Sequence, residues 1–141
     1  MFFTPLKGDS YEEVMRNFRW EIPEHFNIAT VVCDRHAEQP NKVALVYEHL
    51  DGAVDMMTYA ELRRRANQWA NVAKGLGLQR GDRVAIYLPI HPAAPIVHIG
   101  CWKAALVSCP ISTLFGEDAV QYRLTTIEAK VVVTNRRNLP C

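Results

Sequence analysis

No two of the four cysteines, Cys33, Cys101, Cys109 and Cys141, stand as a Cys-x-x-Cys pair. That spacing excludes a zinc ribbon and a thioredoxin-like redox site. Cys33, Cys101 and Cys109 sit in apolar surroundings and read as small buried hydrophobes in a reducing compartment. An excess of one charge is also missing. Sixteen basic and fifteen acidic residues nearly cancel, so no field draws the chain to nucleic acid or to an anionic membrane. Long apolar runs are absent: the longest, residues 93–107, is interrupted by Pro95, His98 and Lys103 and is too short to span a bilayer. Met-Phe-Phe is too short for a secretory h-region, and the expected location is cytoplasmic. Glycine is scarce as well. The seven glycines make no phosphate loop, because Gly75-x-Gly77-x-x-x-Gly81 lies between a helix and the next strand, whereas a phosphate cradle follows a strand and opens a helix. That argues against a small flavodoxin-like nucleotide binder. No Ser stands in a G-x-S-x-G elbow.

What is present is the pattern of a layered α/β chain. The 141 residues are 49% apolar and 22% charged, which fits one globular domain. Ser10-Tyr11-Glu12-Glu13 is a capping box and predicts a helix to about residue 18. Pro23 keeps residues 20–27 extended. Asn27 is placed to cap a second helix running to about residue 36, with Ile28, Val31, Val32 and Arg35 at helical spacing. "KVALVYE" and "VDMMTY", joined by "HLDG", predict a hairpin.

Thr58-Tyr59-Ala60-Glu61 is another capping box. Leu62, Ala66, Trp69, Ala70, Ala73 and Leu76 then mark one apolar helix face, which Gly75 or Gly77 ends. "RVAIYLP" is the continuous apolar run of a central parallel strand. A helix over residues 92–106, a "VSCPI" strand, a helix from residue 116 to about 127 and a "KVVVTN" strand follow. Strands that alternate with helices predict a parallel sheet with covering helices. The order is α-α-β-β-α-β-α-β-α-β, with residues 1–26 as an N-terminal helix and connector and residues 27–141 as the α/β part.

The helix over residues 92–106 is apolar around most of its circumference, so it implies a second layer, from this chain or from chain outside it, on the side away from its sheet. Lys103 is expected to reach solvent from it, and Trp102 supplies area with one polar handle. A chain with such a helix exposed would be a non-catalytic docking module. His98 and Cys101 share a face at i, i+3, but no third metal ligand is in sight, and core packing is the better reading. In open parallel sheets ligands bind outside the carboxyl ends of the strands. That rule points to three loops, Ile90-His91-Pro92, Ser112 to Phe115 and Asn135 onward, of which Ser112, Thr113, Leu114, Phe115 is the candidate to face a ligand, against the commoner case of an ordinary surface loop.

Several stretches together resemble one family. "MTYAELRRRANQWAN" resembles the first core region of adenylate-forming enzymes. "GDRVAIYLP" with "GCWKAALVSCPISTLFGEDAVQYRL" resembles the second, and "KVVVTN" the strand after it. "FRWEIPEHFNIA" and "VCDRHA" are similar to the medium-chain acyl-CoA synthetase branch. The resemblance implies part of the large N-terminal domain of an AMP-forming acyl-CoA synthetase. Such a ligase uses ATP and Mg2+ to convert an acid to acyl-AMP, then passes the acyl group to coenzyme A. The family's phosphate loop and C-terminal domain have no counterpart in these residues, so the resemblance implies no catalytic group here, no cofactor for the chain alone, and the rest of a synthetase chain as covering partner. It implies structural roles for Thr58, Tyr59, Glu61, Trp102 and Lys103, and an acyl or coenzyme A channel near residues 112–115. Two departures stand out. Ala105 replaces the glycine of the family's Lys/Arg-Ala-Gly, which would admit close helix packing, and Thr126-Ile127-Glu128 replaces Asp-Ser/Ala-Gly.

Overall fold

The computed structural model describes residues 6–20 and 23–138. The Ile22 part of the expected connector and Cys141 lie outside them. Helix α1 spans Tyr11–Asn17, and the Ser10 hydroxyl accepts from the Glu13 amide at 3.3 Å. The expected second α-helix takes another form. It is a π-helical turn at Thr30–Asp34, closed by the Arg35 amide on the Thr30 carbonyl at 3.0 Å, and then a 3-10 turn at His36–Glu38. Asn27 does cap it, through the Ala29 amide at 2.9 Å. The wider turn rotates the sequence, so Ala29, Cys33 and Ala37 face inward while Ile28 and Val32 are exposed.

Strands β1 (Val43–Glu48) and β2 (Val54–Thr58) form the antiparallel hairpin. Helix α2 runs Tyr59–Gly75. It is followed by β3 (Arg83–Tyr87), α3 (Ala93–Lys103), β4 (Val107–Pro110), α4 (Glu117–Thr126) and β5 (Val131–Thr134). The last three strands make a parallel sheet in the order β4-β3-β5, with β3 in the centre as its unbroken apolar run predicts. Right-handed crossovers place α3 on one face of this sheet and α4 on the other. The side chains agree. Val84, Ile86, Val131 and Val133 cluster with Val97 and Cys101 of α3. Arg83, on the opposite face, donates at 2.7 Å to the Ile127 carbonyl at the end of α4.

The cover that α3 needs comes from this chain. On its outer side Ile99, with Ile96 and Trp102, packs with Leu62 and Ala66 of α2, Met57 of β2, and Ala29 and Cys33 of the π-helical segment. The contact is close because residue 100 is glycine. A Cβ there would stand 2.7 Å from the Ala66 carbonyl oxygen and 3.0 Å from the Trp69 Cβ. Of the two sources of a second layer that the sequence left open, this chain and chain outside it, this chain covers the outer side of α3. The thinly covered surface is the other one: α4 has no buried residue, and Val107 and Val132 on that sheet face are 47% and 42% exposed.

Three helices end the same way. In each, the first residue past the cap has positive φ, and its amide and the next one bond back into the last turn, a Schellman motif. After α2 the residue is Gly77 (φ 77°), with the Leu78 amide on the Ala73 carbonyl. This stop leaves Leu76, expected on the apolar face, 59% exposed. After α3 it is Ala105 (φ 56°), with the Leu106 amide on the Cys101 carbonyl at 2.8 Å, so the helix stops three residues before the expected end. After α4 it is Glu128 (φ 48°), with the Ala129 amide on the Leu124 carbonyl at 3.1 Å. The two departures from the family pattern therefore concern backbone handedness. Close helix packing falls to Gly100, and residue 105 is a left-handed cap.

Two consequences follow. L-residues in the left-handed region cost roughly 1–2 kcal/mol, partly offset by the unfolded-state entropy that glycine adds. Ala105→Gly is expected to raise unfolding stability by about 0.5–1 kcal/mol, read by urea denaturation, and Glu128→Gly to raise it less, because it also removes the carboxylate that Arg83 holds at 2.7 Å. Gly100→Ala is expected to lower it by at least about 2 kcal/mol, because backbone of α2 must move.

Candidate functional site

The carboxyl ends of the parallel strands converge on loops 88–92, 111–116 and 135–138. Ile111 is buried, and its amide donates to the Ile86 carbonyl at 2.9 Å, which ties the start of the second loop to the central strand. The Ser112 hydroxyl accepts from the Leu114 amide at 3.2 Å and the Ser112 carbonyl from the Phe115 amide at 3.3 Å. These two bonds hold a tight turn. It presents Leu114, 94% exposed, at its tip. Thr113 is half-buried. The Phe115 ring lies under the Arg123 guanidinium, whose carbon is 3.8 Å from the ring centroid. Arg123 is in turn held by the Ala119 carbonyl at 2.9 Å. A rigid aromatic–cation stack and an apolar tip thus share one loop. Ile90, in the β3–α3 loop, is equally exposed at 94%. Beside them Thr134, paired with Tyr87 at the end of the sheet, has a buried hydroxyl with no hydrogen-bond partner among the described residues.

A phosphate cradle is not built at this edge. Loops 88–92 and 135–138 contain no glycine. Gly116 precedes α4, but Glu117 and Asp118 fill the first turn and repel an anion there. A cavity of about 340 Å3 opens farther along, between the hairpin, the start of α2 and His91. Its polar groups face one another: His49 meets Asp55 at 2.7 Å and Arg65 meets Glu61 at 2.6 Å. No group of three or more metal-ligating side chains occurs among the described residues.

The motif residues lie elsewhere, in the layer behind the sheet. Thr58 caps α2 through the Glu61 amide at 3.2 Å, and the Glu61 carboxylate pairs with Arg65 instead of completing the box. The Tyr59 ring stacks with His36 at 4.9 Å between centroids. The Trp102 indole N–H donates to the Ser108 hydroxyl at 3.0 Å, and its carbonyl accepts from the Asn27 amide group at 2.9 Å. Lys103, expected to reach solvent, is 14% exposed and bonds both Asp34 oxygens, at 2.5 and 2.6 Å. The π-helical segment stands where the ammonium would otherwise leave the helix. Nothing in the spacing of Asp34 and Lys103, or of Phe115 and Arg123, marks either pair.

His98 and Cys101 do not converge on a metal. Cys101 is fully buried and accepts the Trp69 indole N–H at 3.3 Å; burial pushes its thiol pKa up, only partly countered by that bond. The His98 Nδ1 meets the Ser108 hydroxyl at 2.9 Å, and burial pulls its pKa below the ordinary 6.5. A histidine held neutral in the fold contributes stability that is present above about pH 6.5 and lost as pH falls toward its lowered folded value. His36 adds to this in the same direction, through desolvation and its cationic neighbours Lys42 and Arg35. The melting temperature is expected to drop between pH 7 and pH 5.5, and His98→Gln to flatten part of that drop in thermal scans.

Comparison with known proteins bears on this geometry. The family model described as "AMP-binding enzyme" matches residues 33–140. The acetyl-coenzyme A synthetase of Novosphingobium aromaticivorans is 31% identical over 97% of this chain and 22% of its own length. That of Methanothrix thermoacetophila is 38% identical over 83% of this chain and 18% of its own. A crystal structure of a Brucella canis acyl-CoA synthetase superposes with a TM-score of 0.76 at 33% identity, over 80% of this chain and 21% of that one. The chain thus spans about a fifth of the length of these relatives. No described helix is long and apolar enough to cross a membrane. With the parallel sheet, its two-sided helical cover and the matched family region together, the chain belongs to the AMP-binding enzyme family.

Proposed function

We propose that this chain forms the first part of the large domain of an AMP-forming acid–CoA ligase and supplies scaffold, not catalytic groups. The observation that carries the reading is the family match over residues 33–140 in a fold whose strand-end loops build no phosphate cradle. In the complete ligase the acid's carboxylate attacks the α-phosphorus of ATP and pyrophosphate leaves; the thiol of coenzyme A then displaces AMP. Mg2+ and fixed donors stabilise the charge on the transferring group. Residues outside this chain supply those groups, so the chain alone is inactive. Thr58, Tyr59, Glu61, Trp102 and Lys103 hold the layers together. The loop of Ser112, Thr113, Leu114 and Phe115 faces the acyl or coenzyme A channel, which the exposed Leu114 and the strand-end position support.

The residues near the N-terminus that resemble the medium-chain branch favour a medium-chain acid. The matched relatives bear the name acetyl-coenzyme A synthetase, which makes acetate the first substrate to assay and octanoate the second. The docking-module alternative loses its motive, because α3 is already covered within the chain.

The test is a chimera in which this chain replaces the aligned stretch of the Methanothrix relative. Acyl-CoA formation is expected from the chimera, and no acyl-AMP from the purified chain by itself. Leu114→Ser in the chimera is expected to raise KM for acid or coenzyme A at least several-fold with an unchanged melting temperature. A folded chimera without activity sinks the reading, and an unchanged KM sinks the role of the loop.

A further inference from the structure

The hydroxyls of Ser10, Thr58 and Ser112 accept backbone amides, and so cap a helix or hold a turn. Ser108 is placed differently. Its Oγ lies 2.9 Å from His98 Nδ1 and 3.0 Å from Trp102 Nε1. The strand register explains the meeting. Ser108 pairs with Val84, whose side chain belongs to the core cluster under α3, so Ser108 sits on the α3 face of β4. His98 and Trp102 stand one turn apart on α3, and their rings lie 5.9 Å apart between centroids.

Donor capacity assigns the protons of this group. An indole N–H only donates, so Trp102 occupies a lone pair of Oγ. If His98 Nδ1 also donated, the Ser108 proton would have no acceptor among the described residues. The arrangement that uses all three groups has the Ser108 hydroxyl donating to an unprotonated Nδ1. Burial favours it, because it holds the His98 pKa below 6.5 and keeps the ring neutral at neutral pH. Other imidazoles are engaged otherwise. His36 Nδ1 faces the Lys42 ammonium, His49 faces Asp55, and His91 Nδ1 accepts the Ala93 amide.

A hydroxyl whose proton already points at a neutral imidazole is a nucleophile beside its base. The Trp102 N–H stabilises the negative charge that gathers on Oγ as the proton leaves. The pair is also within reach of a small molecule. Strand β4 is an outer strand of the described sheet, Ser108 and His98 are half-buried, and Val107 and Pro110 beside them are exposed.

We propose that Ser108, with His98 as its base, is an acyl-accepting site for small activated esters. The Oγ lone pair forms the bond to the acyl carbon, and the Oγ proton passes to His98 Nδ1. The bond from the acyl carbon to the leaving oxygen breaks, and that oxygen departs with the electron pair. Nothing is oxidised or reduced, and the product is an O-acyl serine. The site stands apart from the ligase reading, since neither residue belongs to the strand-end loops.

The test treats the whole chain with p-nitrophenyl acetate at neutral pH. Acetyl groups are followed residue by residue by peptide mass spectrometry, after neutral hydroxylamine has removed thioesters from the neighbouring Cys109. Ser108 is expected to be acetylated at least about tenfold faster than Ser112, an exposed hydroxyl without a base. His98→Gln keeps a hydrogen-bonding side chain but no basic nitrogen. It is expected to lower the Ser108 rate at least about tenfold and to leave the Ser112 rate within about twofold. A Ser108 that stays unmodified, or reacts no faster than Ser112, overturns the proposal. So does an unchanged Ser108 rate in folded His98→Gln, which would make the Ser108–His98 bond a packing contact only. Should that variant fail to fold, the comparison of Ser108 with Ser112 in the unaltered chain decides.

Discussion

Gly100 has no side chain, and the layering of the molecule depends on that. Its Cα faces the Ala66 carbonyl and the Trp69 side chain across the α2–α3 contact. Once the two helices touch there, Trp69 reaches Cys101 and Ala73 joins the cluster of Val84 and Ile86. Leu62 and Ala66 meet Ile99 at the other end. One close approach thus links a core against the sheet to a core behind the helices. Interiors packed at crystal-like density leave no slack to absorb an added methyl at such a point.

Polar groups complete what this contact begins. Asn27 bonds the Trp102 carbonyl, and Asp34 takes the Lys103 ammonium. Both anchor the π-helical segment on the last turn of α3. Largely shielded charges are tolerable there because each has its partner. The same turn ends in Ala105 at positive φ, so the chain reverses into β4 at a strained residue. The strand-end loops that face substrate in the ligase reading are thereby placed by packing well behind them.

The opposite side of the sheet is built differently. Helix α4 lies across it with no fully buried residue, held by Arg83 reaching the Ile127 carbonyl and the Glu128 carboxylate. Three parallel strands covered well on one face only depart from the rule that such sheets are covered on both.

The sequence by itself determined the element order, the central position of β3, the hairpin, the Ser10 and Thr58 caps and the family, because these depend on local periodicity, side-chain capping and turn chemistry. Period-2 and period-3.6 patterns need no knowledge of neighbours. Tertiary structure alone decided the rest. It converted the residue 27–36 helix into π and 3-10 turns, since the inward face had to be the small Ala29, Cys33 and Ala37. It drew Lys103 away from open solvent by bringing up Asp34, sixty-nine residues away. It gave Ala105 and Glu128 a handedness that their side chains do not favour. It placed Arg123 over Phe115. Each of these depends on contacts between segments that the local pattern does not join, and no local pattern encodes which distant surface will arrive.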